Sequence, residues 1–122
     1  MTTLTPAVFH ILLALSDQDR HGYGIMLEVA ERTNQQVRMG PGTLYGTLKR
    51  MLEGNLVEEC DERIDPDLSD ERRKYYRITR QGRRAVSAEA ERLQALVRMA
   101  RAKSVFRTAY ARAGRCHDSV FS

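Results

Sequence analysis

What this 122-residue chain lacks narrows its class before any motif is read. No apolar run approaches the roughly 20 residues that a helix needs to span a bilayer, which argues against a membrane protein. Met1-Thr2-Thr3 carries none of the basic residues that open a secretory signal, so a cytoplasmic protein is expected. Cysteine is scarce. Cys60 and Cys116 stand far apart without a CxxC spacing, which in such a chain reads as ordinary thiols rather than a disulfide framework or a zinc site. No Ser/His/Asp, Cys/His or paired-carboxylate set occurs at recognisable spacing, so neither an enzyme nor a cofactor is expected. A metal sensor would need Cys60, Cys116 and His117 to converge, and the last two fall in what reads as a frayed tail.

What is there fits one small domain with a single modest core, at 42% hydrophobic and 30% charged residues. The net charge of +4 is unevenly spread: residues 1–79 carry a net −3 and residues 80–122 a net +7. A basic balance suits a polyanionic partner. Its concentration in the last third means that overall charge does not mark the first part as a nucleic-acid binder.

Met39 to Glu53 is the stretch the rest is arranged around. Pro41 suits the first helical position. Leu44, Leu48, Met51 and Leu52 recur at three- and four-residue steps as one apolar stripe, leaving Thr43, Tyr45, Gly46, Lys49 and Arg50 on a free face. Glycines 40, 42 and 46 cost a helix about 1 kcal/mol each relative to alanine, but they let a partner approach the backbone. Asn55, after Gly54, can take the left-handed conformation that ends a helix.

Before it, Thr5-Pro6 reads as an N-cap and first turn. Val8, Ile11, Leu12 and Leu15 form a core stripe, while Leu4, Ala7, Phe9, Leu13 and Ala14 widen the apolar surface nearly all round. Such a helix is buried twice, either against a second copy of the chain through Phe9 and Leu13 or in the centre of a small bundle. A second helix runs from His21-Gly22-Tyr23-Gly24 to about Arg32, with Ile25, Met26, Val29 and Ala30 inward. His21 suits a capping role better than a metal, and Tyr23 either offers its hydroxyl to a phosphate or packs with that hydroxyl at the surface. Two helices joined by the polar connector 33–38, the second with a polar free face, follow the plan of a helix-turn-helix.

Leu56–Cys60 and Arg73–Ile78 read as two strands of a hairpin with a long charged loop from Asp61 to Arg72, a wing. Arg72, Arg73, Lys74 and Arg77, interleaved with Tyr75 and Tyr76, suit gripping a sugar-phosphate backbone, with a merely solvated face as the alternative. The loop's carboxylates should keep its tip off phosphate. Thr79 caps a last helix expected from Arg80 to about Arg112 and stopped by Gly114. Val86, Leu93, Leu96, Val97 and Ala100 form a narrow stripe near heptad spacing, as in helices that pair. Its basic face pairs with the acidic loop, touches flanking DNA or is solvated. The expected organisation is therefore 1–79, 80–113 and a tail, 114–122.

This order, with His21-Gly22-Tyr23, then Gly42-Thr43-Leu44-Tyr45, then Lys74-Tyr75-Tyr76-Arg77-Ile78-Thr79 followed by Gly82 and a basic helix, resembles the PadR family of transcriptional regulators from about Leu4 to Ser104. The resemblance implies a mainly α fold with a small β-hairpin, a winged helix-turn-helix plus a C-terminal dimerisation helix. It implies a homodimer that binds double-stranded DNA and represses genes, often relieved by a small aromatic or phenolic molecule. By position, the contact residues are Gly42, Thr43, Tyr45, Lys49 and Arg50 on the recognition helix and Arg73, Lys74 and Tyr75 on the wing, with Tyr23 and Arg72 as further phosphate contacts. Gly46 stands where the family often has proline and Asn55 where it usually has glycine, so looseness is expected at both. The chain has no tryptophan to stack a flat drug. A winged helix serving protein partners alone is the competing expectation.

Overall fold

The computed structural model describes residues 3–64 and 72–106, with the backbone alone for 61–64 and 72–73. Thr5 begins the first helix, α1 (Pro6–Leu15): its hydroxyl accepts from the Val8 N–H at 3.3 Å, and Pro6 fills the first helical position, where a missing N–H costs nothing. Ile11, Leu12, Ala14 and Leu15 are buried, while Phe9 and Leu13 are half-buried. A two-residue strand, β1 (Arg20–His21), leads directly into α2 (Gly22–Arg32). The His21 ring caps α2, with Nδ1 accepting from the Gly24 N–H at 2.9 Å, which is the backbone role expected of it.

The third helix, α3 (Pro41–Glu53), buries Leu44, Thr47, Leu48 and Met51. Thr47 sits among them because its hydroxyl donates to the Thr43 carbonyl at 2.7 Å, satisfying the one polar atom that burial would penalise. Then come β2 (Val57–Ile64), β3 (Arg72–Ile78) and α4 (Arg80–Ala102). The core joins Ile11, Leu12 and Leu15 to Ile25 and Val29, to the α3 stripe and to Val57, Tyr76 and Ile78. No helix among the described residues is long and apolar enough to cross a membrane.

Three expectations are corrected. The sheet has three antiparallel strands in the order β1-β3-β2 rather than two, because Arg20 and His21 pair with Tyr76 and Tyr75 on the free edge of β3. The loop expected from Asp61 begins later: β2 continues to Ile64 through an irregularity between Cys60 and Arg63, a bulge that keeps the ladder going where the side-chain pattern stops supporting it. The remaining acidic stretch, 65–71, lies outside the described residues. The last helix ends at Ala102, not near Arg112. Ser104 takes the left-handed conformation (φ 57°), the Val105 N–H returns to the Ala100 carbonyl at 3.0 Å, and the Arg101 guanidinium lies 5.0 Å over the Phe106 ring. Residues 107–122, including the expected stop at Gly114 and the tail, lie outside the described residues.

The chain divides into two compact units after Glu89, inside α4. The first turns of α4 belong with the core because Ala85 and Val86 pack against it and Thr79 ties them down. The Thr79 hydroxyl accepts from the Gly82 N–H at 2.9 Å and donates to the Asn55 carbonyl at 2.7 Å, linking the start of α4 to the end of α3.

Candidate nucleic-acid interface

With Leu44, Leu48 and Met51 buried, helical geometry leaves one side of α3 to solvent. Gly42, Thr43, Tyr45, Lys49 and Arg50 are all exposed there. A side chain built at Gly40 or Gly42 would meet nothing within 4 Å, so the backbone of the first turn stands open. Arg50 is less free than its exposure suggests: one guanidinium nitrogen donates to the Thr47 hydroxyl at 3.3 Å, laying the side chain back along the helix.

Tyr45 reaches from α3 to the start of α2, where its phenol lies against the Cα of Gly22. A Cβ at that position would collide with the ring. Gly22 is therefore what allows the two helices to meet through an aromatic ring, and no local spacing announces it. Beside this contact Tyr23 is exposed, its ring stacked on His21 with centroids 6.5 Å apart and planes 7° apart. The Tyr75 ring meets the same imidazole nearly at right angles, with centroids 5.3 Å apart and planes 85° apart. Tyr23, His21 and Tyr75 thus line one strip running from α2 to the hairpin. That brings together two of the residues singled out, Tyr23 and Tyr75, from distant parts of the chain.

Strand alternation divides the hairpin's aromatic and basic residues. Tyr76 and Ile78 face the core, and Lys74 shares their side of β3; Tyr75 and Arg77 take the other. Burial raises the Tyr76 phenol above its ordinary pKa, and Glu59 and Tyr45 add to the rise. Glu59 stands opposite Tyr76 in the ladder, so it shares the side of the sheet that faces the α3 stripe. Lys74 is exposed, and its Nζ is paired with Glu59 Oε2 at 3.4 Å. Arg77 is held more firmly. Its Nη2 meets Asp19 Oδ2 at 3.0 Å and its Nε meets Oδ1 at 3.4 Å, a fork that raises the guanidinium pKa further, first through the hydrogen bond and then through Asp19's charge. Glu58 stands 4.0 Å from the same group. Arg72 and Arg73 lie in β3 by backbone, and their side chains lie outside the described residues.

The residues expected to pair two chains fall into three settings. Phe9 and Leu13 are half-buried on α1, with His10 between them in sequence order and its pKa lowered, first by burial and then by the charge of Arg32. Val86 packs against the core of its own chain. Leu93 and Ala100 are half-buried, whereas Leu96 and Val97 are exposed, as is Met99 at 60%. Thr47, Asp19 and Glu59 are the residues of this region that the sequence did not single out, and Gly22 stood there only as part of a motif. Among the described residues no three His, Cys, Asp or Glu side chains gather as a metal set.

Comparison with known proteins accords with this geometry. Residues 11–88 match the model of the transcriptional regulator PadR-like family. An uncharacterized protein of Lysinibacillus sphaericus is 36% identical over 78 residues, which span 63% of this chain and 68% of that one. The crystal structure of a PadR family transcription regulator from Clostridium difficile superposes with a TM-score of 0.63 at 24% identity, over 80% of this chain and 96% of that chain. Bacillus subtilis PadR in complex with operator DNA superposes with a TM-score of 0.57 at 20% identity, over 66% of this chain and 44% of the other.

Proposed function

This chain belongs to the PadR-like family of transcriptional regulators, and from that premise we propose that it binds double-stranded DNA in a sequence-specific way, as a homodimer that represses transcription. The observation that carries the reading is the division of α3: one side sealed in the core by Leu44, Leu48 and Met51, the other presenting Thr43, Tyr45, Lys49 and Arg50 above an unobstructed first turn. A helix so mounted can enter a major groove. There Lys49 or Arg50 would meet a guanine edge and Thr43 a thymine methyl, a good bidentate pair discriminating by about 1–3 kcal/mol.

The remaining contacts hold rather than read. Arg72, Arg73, Lys74 and Tyr75 on β3 and Tyr23 at the start of α2 would meet sugar-phosphate, fixing register without reading sequence. Two such modules related by a dyad reach successive major grooves about 34 Å apart, so the operator is an inverted repeat. The pairing surface is the apolar stripe of α4, Leu93, Leu96, Val97 and Ala100, with Phe9 and Leu13 of α1 beside it in role. Relief of repression by a small aromatic molecule carries over from the family resemblance, and a DNA-bound role places the protein in the cytoplasm.

Titration of the DNA upstream of the chain's own gene, by fluorescence anisotropy at 50 and 200 mM salt, tests the proposal. A dimer that neutralises about 6–10 phosphates loses roughly 10³- to 10⁵-fold in affinity between those salts. Lys74→Ala should weaken binding to specific and scrambled duplexes alike, whereas Arg50→Ala should relax preference at one position of each half-site. Swapped behaviour would overturn the assignment of reading and holding. A second reading, a winged helix that docks protein partners alone, is favoured by the net −3 of residues 1–79 and by the carboxylates that occupy Lys74 and Arg77. No binding at 50 mM salt would select it.

A further inference from the structure

The hairpin's two described cations are held by the chain's own carboxylates in two different ways. Arg77 is forked onto Asp19, whose side chain is 22% exposed, so this pair straps the hairpin to the turn before β1 and behaves as part of the fold. Lys74 and Glu59 are both about half exposed, at 50% and 45%, and meet through a single 3.4 Å contact. A flexible ammonium in one contact with a solvated carboxylate can leave it at little cost. The Lys74–Glu59 pair also lies on the side of the sheet that faces the α3 stripe: Glu59 stands opposite Tyr76 in the ladder, Lys74 is two residues along the same strand, and Tyr76 shares the core with Leu44, Leu48 and Met51. In the DNA-bound form proposed above, Lys74 on this side of the sheet would meet a backbone phosphate.

We propose that Glu59 is an affinity-limiting residue: it occupies Lys74 in the free protein, and DNA binding exchanges the Glu59 carboxylate for a backbone phosphate. The inference rests on the DNA-binding reading above. It makes the negative balance of the first 79 residues part of the mechanism, because each cation that must first leave a carboxylate contributes less to sequence-independent binding. Phosphate contacts of this type set affinity for every duplex alike. Glu59 therefore lowers the hold on all DNA by the same factor and leaves the reading by α3 untouched.

The test is a double-mutant cycle read by anisotropy, on a labelled 30-base-pair duplex of mixed sequence and on the DNA upstream of the chain's own gene. Wild type, Glu59→Gln, Lys74→Ala and the double variant are titrated at 50, 100 and 200 mM salt. Glu59→Gln is expected to bind both duplexes tighter by about 1.4- to 5-fold, the range that exposed ion pairs span. The gain should shrink from 50 to 200 mM salt, because screening weakens the Lys74–Glu59 pair that wild type must first break. In the Lys74→Ala background the gain should vanish. A gain that persists without Lys74 would show through-space repulsion instead of exchange and overturn the proposal, as would no gain at all. Glu59→Thr, which suits a strand, repeats the measurement with a different side chain, and the unfolding temperature of each variant confirms that it folds. If no form binds either duplex, the DNA-binding reading itself fails and the exchange with it; binding by wild type without a gain in Glu59→Gln sinks only the exchange.

Discussion

Gly82→Ala and Gly46→Ala are the same substitution inside two helices, and the structure assigns them opposite signs. By helix propensity alone each should stabilise by up to about 1 kcal/mol. At Gly46 that expectation stands: an added Cβ meets only an Arg50 guanidinium nitrogen at 3.9 Å, ordinary contact with the end of a flexible side chain. At Gly82 the new Cβ would collide with the Leu56 carbonyl and lie 2.9 Å from Ile78 Cγ1. Leu56 cannot step aside. Its N–H closes α3 on the Met51 carbonyl at 2.9 Å and its carbonyl accepts from the Thr79 N–H at 3.1 Å, so the backbone is fixed from both sides. Overpacking of this kind costs about 1–3 kcal/mol, and displacing Gly82 also strains its 2.9 Å bond to the Thr79 cap, worth about 1 kcal/mol. Set against the propensity gain, Gly82→Ala should lose roughly 1–3 kcal/mol, a fall of about 4 °C in Tm per kcal/mol for a domain of this size. Gly46→Ala should rise by a few degrees. Thermal and urea unfolding at one fixed protein concentration decide it, since Tm depends on concentration for any chain that self-associates. Equal or greater stability of Gly82→Ala would refute the account of this joint.

Two further outcomes follow from buried or paired charges. Because the His10 pKa lies below its ordinary 6.5 in the folded chain, the unfolded chain takes up a proton that the folded one resists; stability is full above about pH 6.5 and falls as pH drops below it. Urea unfolding between pH 7.5 and 5 should show this slope in wild type and a flatter one in His10→Gln; an unchanged slope would place the titration elsewhere. Asp19→Asn should lower Tm by releasing the Arg77 fork, and most of the drop should disappear when Arg77 is already Gln, the Cys60 thiol's 3.8 Å contact with Asp19 being the weaker tie. A full drop in the Arg77→Gln background would mean that Asp19 acts through another contact.

The parts legible in the sequence were those whose signal is local. Thr5-Pro6 and Pro41 mark helix starts through backbone chemistry confined to one turn, and the α3 stripe follows from a 3.6-residue period. β1 escaped because two residues are too few to show alternation; Arg20 and His21 become a strand only because the edge of β3, more than fifty positions later, offers them partners. Tyr45 was legible as exposed, but its seat on Gly22 was not, since that contact joins residues of two helices that no spacing relates. The same holds for Lys74 and Arg77. Read along the strand they are free cations, and only the folded chain brings Glu59 and Asp19 to them. The end of α4 was misplaced for a different reason: Ala- and Arg-rich sequence continues past Ala102 without a breaker, and the Ser104 turn is secured by bonds back into the helix.

The joint at residues 54–56 shows why Asn55 does not loosen α3. A glycine there would accept the left-handed φ of 59° at no steric cost, whereas asparagine pays a little for it. In exchange its amide donates to the Gln81 side chain at 3.4 Å, the Gln81 amide donates to the Gly54 carbonyl at 3.3 Å, and the Thr79 hydroxyl donates to the Asn55 carbonyl. The end of α3 is therefore tied to the start of α4 on both sides of the turn, and the hairpin leaves from the same point through Leu56. On the proposed function, in which α3 reads a groove while β3 holds the backbone, the angle between the two has to stay constant. The bonds around Asn55 hold that angle at the place where α3, β2 and α4 meet, so the departure from glycine stiffens the end of α3 instead of loosening it.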